Sequence, residues 1–138
     1  FQGGAGNDVM RVSTLDFFLA DGGLGTDTLK LDGSGLHLDL TALSDTRTNS
    51  IERIDVTGTG GNTLTLGVRD VLNLSGESNT LLVLGDAGDA VNRGAGWTTA
   101  ATGGSNGNGT STIDGQTYQI YTAGQATLLV DTDMSVAV

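Results

Sequence analysis

Neither cysteine nor proline occurs in the 138 residues. Without cysteine there is no disulfide scaffold, no thiolate zinc site and no cysteine nucleophile. Basic residues are also scarce. Six Lys and Arg stand against 16 Asp and Glu, for a formal net charge of −10. A protein that grips a phosphate backbone needs clustered cations, so this balance argues against nucleic acid as a partner. No apolar run approaches the roughly 18–20 residues of a membrane-spanning helix, so membrane insertion is not expected. What the chain has in excess is glycine, 23 residues, more than twice the usual share of about 7%. Apolar residues make up 37%, with Leu, Ile and Val abundant, which is enough for a core in one ordinary domain.

The acids are unevenly chosen. Glu occurs only at Glu52 and Glu77; the rest are Asp. A solvated acidic helix favours Glu, whereas Asp favours turns, where its short carboxylate meets nearby backbone groups. Asp set repeatedly beside Gly points to turns that hold something, and a hard cation with oxygen ligands fits that chemistry.

Two segments repeat. Residues 3–10 read GGAGNDVM and residues 22–29 read GGLGTDTL. Both match G-G-x-G-x-D-x-U-x, where U is a large apolar residue, the calcium-binding nonapeptide of parallel β-rolls. A weaker copy, TGTGGNTL at 57–64, carries Asn62 in place of Asp, and a remnant SNTL follows at 78–81. Tracking the sixth position gives Asp8, Asp27, Asp45, Asn62 and Asn79, at steps close to two nine-residue units. That spacing predicts one coil per step, with all five residues on one edge. The opposite edge is expected near Asp16, Gly35, Asp55, Asp70 and Asp89.

Between the turns, apolar residues alternate as in short strands: Leu29 and Leu31; Leu36, Leu38 and Leu40; Ile54 and Val56; Leu64 and Leu66; Leu72 and Leu74. Leu81 to Leu84 is continuously apolar. No helix is expected; LDFFLAD at 15–21 reads as a single turn or a buried strand. Stacked coils bury what one coil cannot. From Trp97 the character changes. Residues 98–112 read as a flexible Gly-, Ser-, Thr- and Asn-rich loop, and Asp114-Gly115 marks a hairpin before Tyr118, Ile120 and Tyr121. The expected fold is all-β: a right-handed parallel β-roll or β-solenoid over 1–96, with a C-terminal antiparallel β-hairpin cap over 97–138 packed on the roll as one compact unit.

The turn chemistry sets the candidate site. Glycine lets carbonyl oxygens crowd inward, and carbonyls plus carboxylates make an oxygen cage for Ca2+, which takes six to eight ligands. One turn has too few ligands, but two stacked turns can share an ion. Asp8 and Asp27 are the expected carboxylates, with carbonyls from Gly3, Ala5, Gly23 and Gly25. Asp86 and Asp89, in GDAGDAV, are a second candidate pair that also reads as a plain polar turn.

With these nonapeptides the chain resembles a module of the repeats-in-toxin (RTX) family. The resemblance implies type I secretion and calcium binding in β-rolls. SIERIDVTGTGGNTLTL (50–66), DVLNLSGESNTLLVLGDAGDAVNRGAGW (70–97) and YQIYTAGQATLLVDTDMSV (118–136) also resemble a module of very large bacterial surface adhesins. This implies an extracellular, secreted or surface-attached location, and a role in attachment to surfaces or cells and in biofilm formation. Only two good nonapeptides are present, and STLDFF (13–18) interrupts them. The chain opens inside a repeat at Phe1-Gln2-Gly3-Gly4, so a piece of a longer protein is expected.

Other residues carry weaker alternatives. His37, the only histidine, alternates with Leu36 and Leu38 and reads as an outward strand residue; no nucleophile elbow accompanies it. Asp131 and Asp133 read as a strand edge or a second cation site rather than glycosidase carboxylates. Trp97, Tyr118 and Tyr121 either grip a glycan or peptide of a host or surface, or form the core of the cap. Thr57, Thr59, Thr63 and Thr65 are the material of an ice-binding ladder, but without repetition from coil to coil. The resulting expectation is a non-enzymatic, calcium-binding adhesin module, structural or ligand-presenting. The alternatives are the calcium-binding tail of a secreted protease or lipase, and a glycan- or peptide-binding domain.

Overall fold

The computed structural model describes residues 2–15, 19–43, 48–76 and 78–137. Among the described residues, fourteen short strands and one helix follow in chain order: β1 (Val9–Val12), β2 (Ala20–Asp21), β3 (Thr28–Leu31), β4 (His37–Asp39), β5 (Thr48–Asn49), β6 (Arg53–Asp55), β7 (Thr63–Thr65), α1 (Val68–Leu74), β8 (Thr80–Leu84), β9 (Ala90–Asn92), β10 (Thr98–Thr99), β11 (Thr110–Ile113), β12 (Gln116–Ala123), β13 (Ala126–Asp131) and β14 (Ser135–Ala137). The protein is mostly β, with parallel sheets.

The first sheet runs β1-β3-β6-β8-β13-β12-β10, with β11 on β12. Its pairings are parallel from β1 through β13 and antiparallel among β10, β11, β12 and β13. A second sheet, β14-β9-β7-β4, is parallel throughout, and β2 pairs parallel with β5. The chain passes from the first sheet to the second three times through turns of 32–36, 56–62 and 85–89, and once more through 132–134. The parallel arrays therefore extend to Ala137, and β13 and β14 belong to them.

The registers explain the alternating leucines. Met10, Leu29, Ile54, Val83 and Val130 lie side by side across the first sheet, all buried. Leu38, Leu64 and Val91 do the same in the second. Both columns belong to one core, and burial at roughly 25 cal/mol per Å² is gained only while neighbouring strands stay in register.

Two expectations are corrected. Leu72 and Leu74 lie on α1, not on a strand. Val71 and Leu74 face inward three residues apart, which is helical spacing, and the Asp70 carboxylate accepts the Gly67 amide at 2.8 Å across the first turn. Leu72 to Leu74 has period two as well, and the period-two reading ignored Val68 and Val71. The 98–112 segment is likewise not all loop: β10 and β11 both pair with β12, although residues 101–108 are exposed. Of LDFFLAD, Ala20–Asp21 forms β2, while residues 16–18 lie outside the described residues.

The Asp114-Gly115 hairpin forms as expected. Ile113 pairs with Gln116, and both turn residues have positive φ, 52° and 83°, as a two-residue turn that follows the strand twist requires.

Candidate metal centre

The two nonapeptide turns stack. The Gly3 amide donates to Asp21 O, Leu24 N to Gly4 O and Gly6 N to Leu24 O, each at 2.8 Å. Thr26 N donates to Asn7 Oδ1 at 2.9 Å. Positive φ at Gly4, Gly6, Gly23 and Gly25 makes this close approach feasible. The candidate carbonyl donors Gly3, Ala5, Gly23 and Gly25 all lie in this turn pair, and Ala5 bridges Leu24.

Asp27 is fully buried between the turns. Its Oδ1 accepts the Asp8 amide, 19 residues earlier, at 2.8 Å. Its Oδ2 is buried without a hydrogen-bond partner, and so is Oδ2 of Asp8. The surroundings of both oxygens are alike. A Cβ on Gly3 would meet Asp8 Oδ2 at 2.8 Å and collide with Gly22 O. A Cβ on Gly22 would meet Asp27 Oδ2 at 2.5 Å and collide with Ser50 O. Each orphaned carboxylate oxygen thus lies on the same side of a glycine as a backbone carbonyl of the next strand layer. Oxygens gathered in this way without a donor are electrostatically unfavourable, and a bound cation relieves that cost.

The residues present fit Ca2+, a hard ion that accepts carboxylate and carbonyl oxygens in irregular geometry. Among the described residues no group of three or more His, Cys, Asp or Glu side chains gathers for a metal, so an ion here would draw on two carboxylates and backbone carbonyls. A groove of about 380 Å³ lined by Asn7, Asp8, Val9, Thr26, Thr28, Arg53 and Asp114 opens beside Asp8.

The edge expected from a constant step is corrected. The residue that follows Asp27 in the stack is Glu52, whose Oε2 accepts the Asp27 amide at 2.9 Å, 25 residues away. Asn62 lies in the other turn stack: its Oδ1 accepts Leu36 N, 26 residues away, and its own amide donates to Asp89 Oδ1, 27 residues away. Layers after the first are therefore longer than 17–18 residues, because β4 and β5, then β7 and α1, are inserted between strands of the first sheet. Asp45 lies outside the described residues. Asn79, with φ 53°, sits before β8, where the register sets Leu81 opposite Glu52. Glu52 was legible only as the residue just before an apolar strand, in SIERID.

Asp89 differs from Asp27. It is buried, but Oδ1 accepts Asn62 N and Oδ2 accepts Asp86 N at 2.7 Å, so both oxygens are satisfied. The Asp86 side chain is exposed. Asp131 is buried as well; burial pushes its carboxyl above the ordinary range, the charges of Asp133 and Asp86 add to this, and amide hydrogen bonds from Asp133 and Gly85 oppose it.

The three aromatics are not gathered on one surface. Trp97 and Tyr121 belong to the main core, with Trp97 Nε1 donating to Arg93 O at 2.8 Å and the Arg93 guanidinium 4.9 Å from the Tyr121 ring centre. Tyr118, three residues from Tyr121 on β12, faces the opposite side and packs with Leu82 and Leu129. His37 is exposed on β4, with Nε2 2.9 Å from Thr65 Oγ1. Of the four threonines, only Thr63 and Thr65 stand on a strand.

No family model, curated protein or solved structure matches the chain.

Proposed function

We propose that this chain is a calcium-binding β-solenoid module without enzymatic activity, in which the ion joins the first two Gly-Asp turns. The observation that carries this reading is the pair of buried, unpartnered carboxylate oxygens, Asp8 Oδ2 and Asp27 Oδ2, in stacked glycine turns. The parallel pairings and the repeated passage between two sheets support a solenoid. A right-handed path follows from the strong general preference of parallel crossovers. The antiparallel β10–β12 region acts as its cap, covering a sheet end that would otherwise expose unpaired backbone.

An unsatisfied buried polar group costs about 1–3 kcal/mol, and a charged one more. Without the ion the first turns therefore carry an unrelieved cost, and binding free energy becomes folding free energy. Calcium-poor cytosol leaves such turns empty, and the exterior fills them. This fits an extracellular or surface-attached module secreted by a type I system. The adhesin role, in surface attachment and biofilm formation, rests on the resemblance of 50–66, 70–97 and 118–136 to a surface-adhesin module.

Calorimetric calcium titration with circular dichroism in calcium and in chelator tests the reading. The expected result is saturable binding in the parent, loss of binding in Asp8→Ala and Asp27→Ala, and a less ordered parent in chelator. Absence of binding heat together with identical spectra in both conditions overturns it.

A further inference from the structure

The turns joining the first sheet to the second resemble the Gly-Asp turns, with Asn62 in the place of Asp27, although the carbonyls crowding Gly58 belong to the preceding layer and the one crowding Gly22 to the following layer. A Cβ on Gly58 would meet Leu31 O at 2.5 Å, Gly33 O at 2.8 Å and Asn62 Nδ2 at 3.3 Å. This is again a glycine beside crowded carbonyls and a buried side chain. Asn62 is 1% exposed. Its Oδ1 accepts Leu36 N at 2.8 Å, as Asp27 Oδ1 accepts Asp8 N at 2.8 Å. The atoms that differ are the second ones. Where Asp27 has an orphaned oxygen, Asn62 has an NH2 that donates to Gly33 O at 3.0 Å and to Val56 O at 3.2 Å. One donor on one side and two carbonyls on the other fix which amide atom is which.

We propose that the Asn62 carboxamide is a built-in substitute for a cation: it ties the 32–36 and 56–62 turns together through donated hydrogen bonds and makes this stack independent of metal. Asn62 thereby determines where the molecule takes up ions. The stack is completed without a vacant ligand position, because the Asn62 amide goes to Asp89 Oδ1 and the other Asp89 oxygen goes to Asp86 N. The Asp8–Asp27 turns can then open in calcium-free medium while the β4-β7-β9 sheet stays formed and serves as the template on which they close.

Asn62→Asp tests this, because it exchanges the donor for a carboxylate oxygen among the same carbonyls. The expected result is a lower urea midpoint than the parent in chelator, recovery in millimolar calcium, and one more calcium equivalent per chain than the parent by calorimetry. Asn62→Ala, lacking both the donor and the carboxylate, is expected to fall equally in chelator and in calcium. Asp27→Asn is the converse exchange: it retains an acceptor for Asp8 N and places an NH2 near Ser50 O. It is expected to be at least as stable as the parent in chelator and to lose its response to calcium. The proposal is overturned if Asn62→Asp matches the parent in chelator, if it is destabilised without recovery in calcium, or if it fails to fold in both. It is also overturned if Asp27→Asn is less stable than the parent in chelator. A parent that binds no calcium removes the proposed function but leaves the Asn62→Asp comparison intact.

Discussion

Asp27 and Asn62 occupy equivalent turns, and a single NH2 separates a carboxylate with an orphaned oxygen from a carboxamide with every atom used. A further acid shows another way a carboxylate is held here. Asp55 is half-buried, which pushes its carboxyl up, but the Thr57 hydroxyl and amide and the Lys30 ammonium at 3.1 Å outweigh this and hold it below its ordinary 3.8. A depressed folded-state value means that the ionised form stabilises the fold above the ordinary value, and that this contribution is lost as pH falls through the folded one. Asp55→Asn is therefore expected to flatten the decline in stability below about pH 4, measured by urea unfolding at successive pH values. An unchanged acid limb would show that Asp55 contributes nothing to it. Asp8 and Asp27 were legible because Gly-Gly-x-Gly-x-Asp recurs. Glu52 and the role of Asn62 were not, because a longer carboxylate and an amide break the motif and their spacing of 25 and 26 residues breaks the period.

Elements are short here, and each depends on one or two turn residues. The β11–β12 hairpin turns on Gly115 with φ 83°, a region that costs a residue with Cβ about 1–2 kcal/mol. Gly115→Ala is expected to lower unfolding free energy by about that amount with an unchanged far-ultraviolet spectrum. A neutral result would mean that the turn relaxes to another type. The strand columns depend on continuity. Ile54 is fully buried between Leu29 and Val83, and Ile54→Ala is expected to cost about 2–5 kcal/mol by denaturant unfolding. A loss below 1 kcal/mol would show that the two neighbouring layers collapse into the space. The period-two strands were legible from sequence. α1 was hidden, because seven residues barely complete two turns and the period-two pair Leu72 and Leu74 masked the helical pair Val71 and Leu74.

Across the whole molecule, a net charge of −10 opposes compaction at any pH where the carboxylates are ionised. Monovalent salt relieves this by screening, with a Debye length of about 8 Å at 0.15 M, but it does not reach a pair of buried oxygens. Calcium is therefore expected to raise the melting temperature in 0.15 M NaCl as it does at low salt, by about 2.7 kcal/mol of stability when free calcium is 100-fold above Kd. A calcium effect that vanishes in NaCl would identify it as general screening. Magnesium is expected to substitute poorly, since it demands near-octahedral geometry and keeps its waters. The aromatics also resolve only at this scale. Alternation placed Tyr118 and Tyr121 on a strand, but their partners, Leu129 and the Arg93 guanidinium, come from other elements.

Local chemistry determined the mostly β character, the position of most turns and the placing of Asp8 and Asp27 in glycine turns, because backbone preference, alternation and the glycine requirement act over a few residues. Tertiary structure decided which turns stack on which. The number of residues between layers is set by inserted strands and a helix, and a chain read by its period has no measure of them. Only that stacking brought Glu52 onto Asp27 and Asn62 against Leu36 N and Gly33 O, since hydrogen bonds so long in sequence exist only once the layers have met.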